Sequence, residues 1–194
     1  MGHNLSNLIS MNGAFAECSS LTEIIGFGEI YTPNLAEMKQ TFKRCSALTS
    51  LDLSGLRPNN PVFSVDGGSQ TFGDARLFYG CTSLKTLNMS NYKFHQYFRY
   101  QFREATNLQE LILDNCDFSL LESFERIFEE MPNVTKISLS NVTFPTNLVD
   151  CTCLFRNCSK LTDLTITGKN NVRLKPSDAQ YMFYGLKEMT NFDN

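Results

Sequence analysis

Seven cysteines and two histidines are the residues with which this chain could do chemistry. Cys151, Cys153 and Cys158 form the tightest group, C-x-C-x4-C. A zinc site takes about four ligands at tetrahedral geometry, and no fourth cysteine or histidine lies near them in sequence, so no metal is expected. A nucleophilic thiol would need a base. His3 falls in a loose terminus, and His95 falls inside the aromatic run YKFHQYFRYQF. No nucleophile elbow, G-x-G-x-x-G or Walker-type loop occurs, and the acidic residues are scattered without a marked pair. Neither an enzyme nor a bound cofactor is expected. An odd total leaves at least one cysteine without a partner in the chain. A Cys151–Cys153 bond would be cramped.

Four of the cysteines, Cys18, Cys45, Cys81 and Cys158, are explained by what surrounds them. Cys45 sits in FKRCSALTSLDLS, and that phrase returns. Copies begin at Phe15, Phe42, Phe78, Phe102, Phe128, Phe155 and Phe183, at spacings of 27, 36, 24, 26, 27 and 28 residues. Each reads F-x-x-C, two residues, then L-x-x-L-x-L, with the last copy compressed. The fourth position holds Cys18, Cys45, Cys81, Ala105, Met131, Cys158 and Leu186. A position that accepts alanine, methionine and leucine is an apolar packing site, where free cysteine acts as a small hydrophobe. Stacked neighbours would be within disulfide range by Cα separation, but their side chains point the same way.

The elements that hold these residues follow from the period, which is that of a leucine-rich repeat solenoid. The tails alternate apolar and polar, as in Leu51-Asp52-Leu53 and Leu87-Asn88-Met89, which predicts short strands with one buried face. The stretch before each phenylalanine reads as helix. In SLLESFERIFEEM, Leu120, Leu121, Phe124, Ile127, Phe128 and Met131 recur at helical spacing, and Ser119 with Glu122 resembles a capping box. Asn34 with Glu37, Asn147 with Asp150, and Ser177 with Gln180 fall at the same phase. The expected fold is therefore an α/β leucine-rich repeat solenoid of about seven strand–helix rungs. Its parallel sheet would lie on the concave face and its helices on the convex face, with the leading phenylalanines stacked in a column beneath the helices. Residues 1–14 read as a lead-in and 15–194 as one repeat domain, with a Pro/Gly/Asn-rich insertion at about 55–74.

Charge is nearly balanced, at 17 basic and 20 acidic residues, so no broad basic field invites nucleic acid. No apolar run is long enough to span a membrane, and MGHNLSNLIS lacks the apolar core of a signal peptide.

The pattern F-x-x-C-x-x-L-x-x-L-x-L resembles the BspA-type leucine-rich repeat family, bacterial surface proteins with a repeat of about 26 residues. The closest copies are FKRCSALTSLDLS and FYGCTSLKTLNMS, and the resemblance spans residues 15–192. It implies a cell-surface or secreted protein engaged in adhesion, with a host or extracellular-matrix protein as partner. Two copies lack the cysteine and the insertion is unusual, so the resemblance transfers no particular ligand.

In a solenoid the open sheet face is the usual binding surface. Its outward positions here are Ser50, Asp52, Thr86, Asn88, Glu110, Ile112, Lys136, Ser138, Asp163 and Thr165, with Ile25 in the same column. This surface is polar and weakly charged. Its hydroxyl and amide groups also suit a glycan. A secondary surface is offered by Tyr92, Tyr97, Arg99 and Tyr100, residue types favoured at interfaces. Two functions fit: a protein-binding or adhesion module, or a scaffold segment of a larger protein with no ligand of its own. Self-association, end to end or side by side, is compatible with either.

Overall fold

A computed structural model describes residues 5–57, 77–94, 98, 102 and 105–190. The chain is a β-solenoid of mostly parallel strands: β1 (Ser50–Asp52), β2 (Thr86–Asn88), β3 (Glu110–Ile112), β4 (Lys136–Val142), β5 (Val149–Asp150), β6 (Asp163–Gly168) and β7 (Pro176–Asp178). Five of these form one parallel sheet in the order β1-β2-β3-β4-β6, and β5 pairs with β7 in a second. Strand centres Leu51, Leu87, Leu111, Ile137 and Leu164 stand in one row across the larger sheet. They point inward, as period-two alternation requires. Isolated parallel bridges at Lys93–Asp117–Thr143, Ser10–Glu37 and Ser123–Asp150 extend the pairing along other sides of the coil.

The α/β expectation is overturned. Among the described residues there is no α-helix, only two single 3-10 turns, Phe27–Glu29 and Lys169–Asn171, and the main sheet has five strands rather than seven. The backbone shows why. Around the leading phenylalanines, wherever the flanking residues are described, the chain enters the left-handed region. Two residues before the ring stand Gly13, Gln40, Arg126, Cys153 and Tyr181; two after it stand Glu17, Arg44, Gly80, Glu130, Asn157 and Gly185, all at φ between 54° and 81°. A right-handed helix cannot pass through such residues. The segments are instead arms of successive tight turns. The N–H of Cys45 donates to the Phe42 carbonyl at 3.1 Å, and the N–H of Leu48 to the Cys45 carbonyl at 3.1 Å. The intervening donors reach the next arm: Phe15 N–H to Thr41 O at 2.9 Å, Phe42 N–H to Leu77 O at 3.2 Å, Phe128 N–H to Leu154 O at 3.0 Å and Phe155 N–H to Met182 O at 2.9 Å. The backbone groups of the arms are thus satisfied between turns of the coil, as in a sheet, rather than along a helix.

No helix starts at the expected caps; of those residues Asp150 and Gln180 take part in side-chain turns instead. Ser123 Oγ accepts from the N–H of Glu125 at 2.9 Å, Asp150 Oδ1 from Thr152 at 2.8 Å and Asp178 Oδ1 from Gln180 at 2.8 Å. Each is a side-chain turn that starts an arm. In Ser119–Met131 the inward residues Leu121, Phe124, Ile127, Phe128 and Met131 are buried, but Leu120 is 43 % exposed.

The phenylalanine column is present without the helices. Phe15, Phe42, Phe78, Phe102, Phe128, Phe155 and Phe183 stack in succession, with centroids 5.3–6.1 Å apart and planes within 14°. Each fully buried ring contributes about 1.5–3 kcal/mol by removal from water. A second aromatic group fills the interior, with Phe94 stacked on Phe118 at 5.0 Å and Phe98 against Phe94 at 4.2 Å. Residues 9–14, taken as lead-in from sequence, join the array: Met11 is buried and its N–H donates to Glu37 O at 2.8 Å. Of the insertion at about 55–74, residues 58–74 lie outside the described residues; Leu56 is buried in the core.

Candidate functional site: the open face of the sheet

Parallel register brings the outward residues of successive strands side by side in two rows. One runs Ser50, Thr86, Glu110, Lys136, Asp163; the other runs Asp52, Asn88, Ile112, Ser138, Thr165. Neighbours within a row belong to adjacent strands about 4.8 Å apart, so the ten side chains form one continuous patch. Ser50, Asp52, Thr86 and Asp163 are exposed, and Ser138 is buried. Ile25 is 85 % exposed but lies in a segment that does not join the sheet.

The first row carries the charge. Lys136 Nζ lies 2.8 Å from Glu110 Oε1 and stands next to Asp163 in register. Its hydrogen bond to Glu110 and the negative charge there hold its ammonium pKa above the usual lysine range, with Asp163 and Asp114 adding to the effect. The second row is largely engaged by the fold. Asp52 Oδ1 accepts from the N–H of Ser54 at 2.9 Å. Asn88 Oδ1 accepts from the N–H and hydroxyl of Ser90 at 3.0 and 2.7 Å. Ser138 donates to Asp114 Oδ1 at 2.6 Å, and the same oxygen accepts from the N–H of Ser140 at 2.9 Å. Asp52 also packs against Gly28, where an added Cβ would sit 2.7 Å from Oδ2. Asp114 was not picked out from sequence, because it follows the strand in a turn; only its Asp-Asn pairing with Asn115 marks that turn.

The secondary surface does not form around Tyr92, which is 1 % exposed in the core. Burial pushes its phenol pKa well up, reinforced by Cys116 and Asp52. Tyr97, Arg99, Tyr100 and His95 lie outside the described residues.

The cysteines are all free thiols, and only Cys18 is exposed. In the repeat column the thiol of Cys45 donates to Phe15 O at 3.1 Å, Cys81 to Phe42 O at 3.0 Å and Cys158 to Phe128 O at 2.9 Å. Burial pushes the Cys45 thiol up to about 11 and those of Cys81, Cys116, Cys151 and Cys158 to about 12. Among the described residues no group of three or more His, Cys, Asp or Glu is placed to hold a metal ion, and no helix is long and apolar enough to cross a membrane.

Fold and surface together define a repetitive parallel β-solenoid with a polar open face. Within that class the chain belongs to the family described as Mycoplasma protein of unknown function, DUF285, whose model matches residues 2–98 and 69–193. No curated protein matches the chain.

Proposed function

We propose that this chain is a non-catalytic protein-binding module of a surface or secreted protein, with the open face of the main sheet as its contact surface. The observation that carries the reading is the alignment of outward side chains into two in-register rows over five strands. Such a surface suits an extended polar partner, and the Glu110–Lys136–Asp163 series gives it alternating charge. The likeness of FKRCSALTSLDLS to BspA-type repeats supports adhesion to a host or matrix protein. The test is binding to an array of host-surface and extracellular-matrix proteins, repeated with Thr86→Arg, Lys136→Glu and Asp163→Arg. At least one of these should weaken binding about tenfold or more, equivalent to about 1.4 kcal/mol. Binding that none of them changes would remove the sheet face from consideration.

A second reading, a scaffold with no ligand of its own, draws on one specific observation. Asp52, Asn88 and Ser138 spend their hydrogen-bonding groups on the chain itself. Under that reading the array of proteins gives no binding at all, with the fold intact.

A further inference from the structure

Asn12–Gly13 is the one Asn–Gly pair in the sequence. An asparagine followed by glycine is prone to lose its side-chain amide, because glycine has no Cβ to hinder attack by its own nitrogen on the preceding side chain. The Gly13 nitrogen bonds to Asn12 Cγ, the Cγ–Nδ2 bond breaks, and ammonia leaves with the proton that the Gly13 nitrogen gave up. Water then opens the cyclic imide at either carbonyl, leaving aspartate or isoaspartate at position 12. Nothing is oxidised or reduced.

The groups in that step are held by the neighbouring arm. Asn12 Oδ1 accepts from the N–H of Lys39 at 2.8 Å. Asn12 Nδ2 donates to Glu37 Oε2, which also accepts from the Ser10 hydroxyl at 3.3 Å. The nucleophile is engaged as well, since the Gly13 N–H donates to Lys39 O at 2.9 Å. With the side-chain carbonyl and the attacking nitrogen both tied to Lys39, the carboxamide cannot swing onto that nitrogen while the two arms are paired. The turn itself does not demand the glycine. Gln40, Arg126, Cys153 and Tyr181 hold the same place before their rings at φ of 54° to 57°, against 62° for Gly13. A Cβ added to Gly13 would have Ala16 Cβ as its nearest neighbour at 3.9 Å, an ordinary contact.

We infer that Asn12–Gly13 is a deamidation site gated by the pairing of its arm with the arm at residues 37–43: silent while the two are joined, reactive when they part. The product then keeps them apart. Aspartate at position 12 sets a second carboxylate against Glu37 in place of a donor, so an attraction becomes a like-charge repulsion. Isoaspartate lengthens the main chain by a methylene just ahead of Gly13, Phe15 and Glu17. Their N–H groups pair with Lys39, Thr41 and Lys43 at 2.9, 2.9 and 2.7 Å, and the added length shifts all three. A passing local opening is thereby made permanent. The reaction needs only water and is independent of any partner on the sheet face.

Timed incubation of the full chain at mildly alkaline pH tests it, with peptide mapping that separates asparagine, aspartate and isoaspartate at position 12. Conversion in the folded chain should be at least about tenfold slower than in the urea-unfolded chain, the protection given by an opening free energy of about 1.4 kcal/mol. Glu37→Ala frees Asn12 Nδ2 and leaves the backbone pairs in place, and it should speed conversion in the folded chain several-fold. Gly13→Gln should fold and should abolish the fast conversion in urea, which fixes the reaction at this pair. Asn12→Asp, made as the product, should raise hydrogen exchange at the Gly13, Phe15 and Glu17 amides about tenfold. Adding Glu37→Gln to it should restore their protection. Equal conversion rates in the folded and unfolded chain would overturn the inference. So would a Glu37→Ala rate no higher than that of the unmodified chain, or unchanged exchange in Asn12→Asp.

Discussion

Cys45 lies between two arms, its thiol directed at the Phe15 carbonyl and its pKa pushed up to about 11 by burial. A thiol in that position is a weak hydrogen-bond donor with little thiolate to offer. Native protein treated with an aromatic disulfide reagent near pH 8 should therefore release one equivalent quickly, from Cys18, and all seven after denaturation. Rapid native labelling at Cys81 or Cys158 would contradict their burial. The same shifts set a pH dependence. Their folded pKa values lie above the ordinary thiol value of 9.0, so the folded state holds protons that the unfolded state has lost. Their stabilising contribution is complete below pH 9.0 and declines as pH rises towards 11–12. Urea midpoints should be insensitive to these groups at pH 7–8 and fall steadily above about pH 9. Glu129 is a different residue-scale case, a buried carboxylate 3.6 Å from Arg126 and 3.4 Å from Arg156. Its removal leaves two half-exposed guanidinium groups without their shared anion, and Glu129→Ala should cost about 1–2 kcal/mol in urea unfolding. The packing role of the cysteine column was readable from Ala105 and Met131 in the same place. The thiol–carbonyl bonds were not, since they depend on the direction each arm faces.

At the scale of elements, the arm replaces the helix, and its left-handed residues are where it is most easily broken. Gly80 has φ +74° and a Cβ added there would meet Arg44 Cγ at 3.0 Å and Cα at 3.3 Å. Gly80→Ala should cost about 1–3 kcal/mol through backbone conformation and contact together. Phe128→Ala, which removes a ring from the middle of the column, should cost about 3–5 kcal/mol. Denaturant unfolding measures both, and a larger loss at Gly80 than at Phe128 would count against the ring column as the main support. These arms also explain how far sequence could be read. Turns of three residues place inward side chains at Leu121, Phe124 and Ile127, spacings that an amphipathic helix shares. Only Leu120, exposed where a helix would tilt it towards the core, separates the two, and burial is not visible in sequence. The strands were legible because two-residue alternation in Leu51-Asp52-Leu53 has no competing interpretation. The two rows of the open face followed from that alternation and from the equal phase of the copies. The internal roles of Asp52 and Asn88 did not, because a turn-forming side chain and a ligand-facing one have the same residue type.

The whole molecule is held mainly by neighbour-to-neighbour contacts along one axis, in the strand ladder, the arm-to-arm hydrogen bonds and the ring column alike. Stability in such arrays is close to a sum of local terms. The ring column has one further consequence. Because each phenylalanine of the column stacks face to face on the ring before and the ring after it, the chain has a natural unit of length. Excising residues 128–154, the 27-residue interval between Phe128 and Phe155, brings Phe155 onto Phe102 in the register that Phe128 now occupies. The shortened protein should fold, whereas a cut of a dozen residues fewer would leave the same rings facing side chains of the wrong phase. Length in this protein is counted in rings: the intervals between them vary from 24 to 36 residues, but each rung adds one ring to the column.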